Sequence, residues 1–114
     1  MSSSLEEEKA RETAALNDEF RKSFVGGEVY ITAGLNELGP EFVIQAIEAV
    51  KLFDAFTPDN DPHLEHDFGS LEVQGHKLFW KIDYYDPTMQ FGSEDPSDAA
   101  ATRRVLTIML IGEY

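Results

Sequence analysis

The chain has no cysteine among its 114 residues. That excludes a disulfide framework, a thiolate zinc or iron–sulfur site and a cysteine nucleophile. Bases are scarce too: nine Lys and Arg stand against 22 Asp and Glu, for a formal charge of −13. Such a field repels phosphate backbones and anionic lipid, so direct nucleic-acid or membrane binding is all but excluded. No apolar run approaches the roughly 20 residues of a membrane span. The polar, acidic stretch from Ser2 to Glu8 does not read as a signal peptide. A soluble cytoplasmic protein is the expectation. Phosphate-cradling loops are missing as well, because Gly26-Gly27 and Gly34 lack the Lys-Ser/Thr or the spaced glycines such loops require.

What is present is enough for one core. Hydrophobic residues make up 42% of the chain and include eight Phe, four Tyr and one Trp. At this length one domain spanning 1–114 is the expectation, with residues 1–13 open to fraying. The charge is unevenly placed. Residues 1–24 are nearly balanced, whereas 25–102 hold fifteen of the acids and only Lys51, Lys77 and Lys81 as bases. Solubility explains such a surplus; a face for a basic partner explains it equally.

Leu16, Phe20 and Phe24 at i, i+4, i+8 predict an amphipathic but otherwise solvated helix over about 5–24. Gly26-Gly27 ends it. Val29 to Thr32 reads as a short strand, and Leu35 to Gly39 as a turn. Pro40 suits a first helical position and Glu41 the positive helix end, while Phe42, Ala46, Ala49, Val50 and Phe53 share a face, so a second helix is expected over about 40–55. Ser70 to Val73 and Leu78 to Tyr85 read as a hairpin with a short glycine turn. The apolar run from Val105 to Ile111 fits a central buried strand, although Ala99 to Thr102 is compatible with a helix entering it. The fold class is α+β: two helices packed on a mostly antiparallel sheet of about four strands.

Between the second helix and the hairpin, Thr57 to Pro62 is dense in turn formers and His63, Glu65, His66 and Asp67 follow at once. One reading is structural, with Asp59, Asn60 and Asp61 capping turns by their own side chains and a partly buried His66 held by a carboxylate or a backbone carbonyl. A catalytic alternative uses His66 with Asp67 or Asp83 as an oriented general base. No nucleophile completes it, since Ser23, Ser70 and Ser93 lie in no nucleophile-elbow sequence. A metal alternative uses His63, Glu65 and His66, whose spacing matches neither the zinc-protease nor the EF-hand pattern. The default is no cofactor. Trp80, Tyr84 and Tyr85 read as sheet packing or, if exposed, as partner anchors.

The blocks Asn60-Asp61-Pro62, Glu65-His66-Asp67-Phe68-Gly69, Trp80 to Asp86, and Arg104 to Leu110 with Glu113-Tyr114 resemble those of a small bacterial family of unknown function, over about residues 14–114. His63 falls outside the pattern. The resemblance implies an accessory protein of plasmids and other mobile elements, such as a defence inhibitor. Together with the charge, it favours a non-enzymatic interaction protein that imitates nucleic-acid charge toward a basic, nucleic-acid-handling or defence protein. The expected contact residues are Asp59, Asp61, Glu65, Asp67, Asp86, Glu94, Asp95 and Asp98. The alternatives are a small hydrolase or metal-dependent enzyme centred on Glu65, His66 and Asp67, and a homodimer joined through a sheet edge or the first helix.

Overall fold

A computed structural model describes residues 2–114 as an α+β fold. Three α-helices, α1 (Ser2–Ser23), α2 (Ala33–Asn36) and α3 (Pro40–Lys51), accompany four strands, β1 (Gly27–Ile31), β2 (Phe68–Val73), β3 (His76–Tyr85) and β4 (Arg103–Leu110). Single 3₁₀ turns flank β4 at Ala99–Ala101 and Ile111–Glu113. The sheet order is β1-β4-β3-β2, with β1 parallel to β4 and the other pairs antiparallel. The sheet is therefore mixed and mostly antiparallel, and β4 is central, as its apolar run indicates. The alanines before it form a 3₁₀ turn rather than a longer helix, because Asp98 caps the Ala100 N–H and Thr102 is already extended. Among the described residues no helix is long and apolar enough to cross a membrane.

The alternation in β3 sends Leu78, Trp80 and Ile82 into the core, where they meet Phe42, Ala46 and Val50 from α3 and Phe20 from α1. α3 is shorter than expected and stops at Lys51, with Leu52 as its C-cap; Phe53 and Phe56 are carried by the irregular segment that follows. The turn expected over 35–39 begins with the four-residue helix α2, whose Leu35 is fully buried. Gln74 and Gly75, both at positive φ, make the two-residue hairpin turn between β2 and β3.

The first helix differs most from expectation. Its docked face is Thr13, Ala14, Asn17, Phe20 and Arg21, all buried, whereas Leu16 is only partly covered. Phe24 lies beyond the helix at φ +61°, the left-handed position that ends many helices. Instead of a solvated helix with an apolar stripe, α1 brings an amide and a guanidinium into the interior.

Candidate functional site

Buried polar groups need partners, and those of α1 find them across the fold. Asn17, with 0% of its surface exposed, accepts from Arg104 Nε at 2.7 Å and places its amide nitrogen 2.8 Å from the Tyr84 hydroxyl and 2.9 Å from the Glu65 carbonyl. Arg104 also donates to the Pro96 carbonyl and lies over the Tyr84 ring. One turn on, Arg21 is 1% exposed and donates to the Val50 and Lys51 carbonyls at 2.8 and 3.3 Å. A guanidinium there answers the negative C-terminal end of α3. Its other arm donates to Asp18 at 2.9 Å.

Asp18 in turn holds His66. Nδ1 of the imidazole is 3.0 Å from both Asp18 oxygens, and Nε2 is 3.5 Å from Asp61 Oδ2. Phe56 stacks on the ring face at 3.9 Å, nearly parallel. His66 sits at φ +56°, a conformation few side-chain-bearing residues adopt, and its backbone N–H donates to Asp61 Oδ1 at 3.1 Å. Asn60 caps the preceding turn by accepting from the Thr57 N–H. Asn60, Asp61 and His66 thus make contacts of the kind the structural reading expects, whereas the Asp59 side chain is exposed and caps no turn among the described residues. His66 faces Asp18 and Asp61 rather than the Asp67 or Asp83 expected of a catalytic pair.

Beside this clamp lies a cleft of about 720 Å³, lined by Arg21, Lys51, Phe53, Phe56 and His66 among others. Its size suits a small molecule. Asp18, Glu48, Asp54 and Lys22 line it as well, both ring nitrogens of His66 face carboxylates, and none of the lining residues carries a hydroxyl. A general base needs a ring nitrogen within reach of a substrate proton. Among the described residues no group of three or more His, Asp or Glu side chains is arranged to hold a metal ion. The metal set His63, Glu65 and His66 is not assembled, because Glu65 lies 3.3 Å from the Tyr84 hydroxyl while the His66 ring is turned toward Asp18 and Asp61.

The acidic residues expected at a partner surface fall into distinct environments. Asp59, Glu94 and Asp98 are exposed, and Asp98 also caps the 3₁₀ turn before β4. Asp61 is 3% exposed, so its carboxylate serves His66 rather than a partner. Asp86 is occupied by the Thr88 hydroxyl at 2.7 Å and Asp95 by the Ser97 hydroxyl at 2.5 Å, and these bonds hold both carboxyls below the usual range. Asp95 also pairs with Lys9 of α1 at 3.7 Å.

Glu65 and Asp67 behave in the opposite way. Burial raises the Glu65 carboxyl, with Asp67 and Asp61 adding to the effect. Burial likewise raises Asp67, reinforced by Asp61 and Asp83. Glu65 is thus within coulombic reach of Asp61 and Asp67, and Asp67 of Asp61 and Asp83, with His63 acting in the opposite sense on both. Lys81 pairs with Asp83 at 3.1 Å. Among the described residues no Lys, Arg or His lies within ion-pairing distance of Asp67.

Asn17, Asp18 and Arg21 are the site residues that sequence reasoning missed. Their spacing on one helical face with Phe20 and Phe24 is visible in the sequence, but polar side chains read by default as solvated. They also lie before residues 31–113, the stretch that a family model matches. No curated protein and no solved structure compared with the chain matches it. A family model does match, over residues 31–113, and so covers more than half of the chain. The chain belongs to that family, described as proteins of unknown function, DUF3768.

Proposed function

We propose that this is a cytoplasmic, non-enzymatic interaction protein whose acidic surface takes a basic protein partner, of the kind that handles nucleic acid or acts in defence, as an accessory of a mobile element. The observation that carries the reading is the crowding of the half-buried Glu65 and Asp67 against the buried Asp61 and, for Asp67, against Asp83. Charge kept for solubility belongs on freely hydrated side chains, where it costs the fold little. Here two carboxyls are half-buried against other carboxylates, an arrangement that destabilises their charged forms. A cationic partner relieves that cost on binding, and complementary potentials speed the encounter and reject wrong partners. B-DNA carries one charge per roughly 1.7 Å of axis, so a protein adapted to that charge density is the fitting target. The His66 ring faces Asp18 and Asp61 rather than Asp67 or Asp83, which argues against the hydrolase alternative built on those pairs.

The test is to immobilise the protein, pass nuclease-treated bacterial lysate over it, and elute with salt or with duplex DNA. A basic protein released by both, and no longer retained by the Glu65→Gln, Asp67→Asn double variant, is the expected result. Retention that ignores salt, DNA and the double variant overturns the reading.

A further inference from the structure

The outer face of the sheet, away from α1 and α3, carries a row of aromatic rings beside the acidic cluster. Phe68 and Phe79 face each other at 5.8 Å with planes 19° apart, and Tyr114 covers Phe79 at 4.9 Å and 29°. Phe68 is held in register opposite Lys81, which places Phe79 diagonally across the strand pair from it. Tyr114, 77% exposed, leaves one side of the row open to solvent. Between the rings and the strand end lies a hollow of about 220 Å³ lined by Asp67, Phe68, Phe79, Lys81, Asp83 and Tyr114, with Ile82 beneath. That is below the roughly 300–1,000 Å³ of small-molecule pockets and suits a single side chain.

We infer that this hollow is the anchoring pocket for an arginine side chain of the basic partner, the guanidinium stacking on the exposed Tyr114 ring, which Phe79 backs, and pairing with Asp67. The inference rests on the interaction reading above and gives it a contact point. Aromatic faces attract cations through their quadrupole, and a planar guanidinium adds stacking that an ammonium cannot match. A carboxylate beside the rings supplies the complementary charge, and a guanidinium fork meets it with two parallel hydrogen bonds. The rim already accepts a cation, since Lys81 sits against Asp83. Asp67 is left as the acceptor without an ionic partner among the described residues.

The experiment is an amide chemical-shift titration of the whole protein with hexa-arginine and, separately, hexa-lysine at equal charge. Shifts centred on residues 67–68, 79–83 and 114, with hexa-arginine binding more tightly, are expected. Tyr114→Ala, at an exposed position, weakens hexa-arginine by about two- to fivefold, the range of a surface cation–π contact, and abolishes the preference over hexa-lysine. Asp67→Asn weakens it by about twofold, as loss of a surface ion pair does. Equal affinity for the two peptides, shifts centred on α1 or on the 86–98 connection, or an unchanged Tyr114→Ala protein overturns the assignment. The two proposals fail separately. A basic lysate protein held as tightly by Tyr114→Ala as by the parent chain sinks the pocket and leaves the interaction reading standing. Hexa-arginine binding at the pocket without any such lysate protein does the reverse.

Discussion

The Asp18 carboxylate stands between two nitrogen donors of different origin: the Arg21 guanidinium, Nη2 at 2.9 Å from its own helix, and the His66 imidazole, Nδ1 at 3.0 Å from the 57–67 loop. One acidic side chain therefore fixes the guanidinium that caps α3 and the imidazole that anchors the loop. The α1 face is polar, so its docking depends on these pairings more than on apolar area.

Removing that carboxylate leaves a buried guanidinium with only carbonyl partners. Asp18→Ala is expected to cost about 3 kcal/mol, the scale of stranding one member of a buried ion pair. Asp18→Asn, which keeps an acceptor for Arg21, is expected to cost less. Urea denaturation of the two variants against the parent protein checks the order; equal stability of all three would show that Asp18 does not hold the helix.

Gly69 shows how closely β2 is seated. A Cβ there would lie 2.7 Å from Trp80 Nε1 and 2.8 Å from the Phe53 ring, both rigid aromatic groups packed in or against the core. Gly69→Ala is therefore expected to destabilise by about 1–3 kcal/mol, the range for overpacking a core. Gly75→Ala is the comparison: it has open space around it and suffers only from its φ of +81°. Thermal unfolding of the pair separates crowding from backbone strain.

How much of this was legible in the sequence follows from which side chains do the packing. The period-2 pattern of β3 and the Pro40 start of α3 are apolar signals, and both elements appear where those signals put them. The parallel pairing of β1 with β4 links residues about 77 apart, Gly27 with Arg104, and no local pattern encodes it. The His66 environment was legible in kind, as an imidazole held by a carboxylate, but its main partner Asp18 lies 48 residues away. Asp61 looked like surface charge because buried carboxylates are rare, and only the loop's return onto α1 encloses it.

The Glu65 carboxyl gives a pH signature. Its folded-state value is raised, chiefly by burial, so above that value both folded and unfolded chains are ionised and the folded one carries the full penalty. As pH falls through the raised value toward the ordinary Glu range, the folded state takes up a proton first and the penalty disappears. Glu65→Gln is thus expected to stabilise the protein at pH 7, with the gain shrinking as pH drops into the ordinary carboxylate range. Urea midpoints measured at pH 7 and near pH 4 test the sign; a destabilised Glu65→Gln protein at pH 7 would mean that the Tyr84 hydrogen bond outweighs burial.

The net charge of −13 makes a broader demand on the fold. Four ion pairs of Lys or Arg with carboxylates are formed among the described residues, so most of the 22 acidic side chains have no Lys or Arg paired with them. Self-repulsion at that charge opposes the compact state. Screening should relieve it, because the Debye length falls from about 30 Å at 0.01 M salt to about 8 Å at 0.15 M. Melting temperature is therefore expected to rise with sodium chloride over that range, and to rise less in the Glu65→Gln, Asp67→Asn double variant, which removes two of the crowded charges. A salt-independent melting temperature would mean that the carboxylates are spaced widely enough to be hydrated singly. The acidic cluster would then exert no repulsion for a basic partner to relieve, and the argument that its charge is kept for recognition would lose its physical basis.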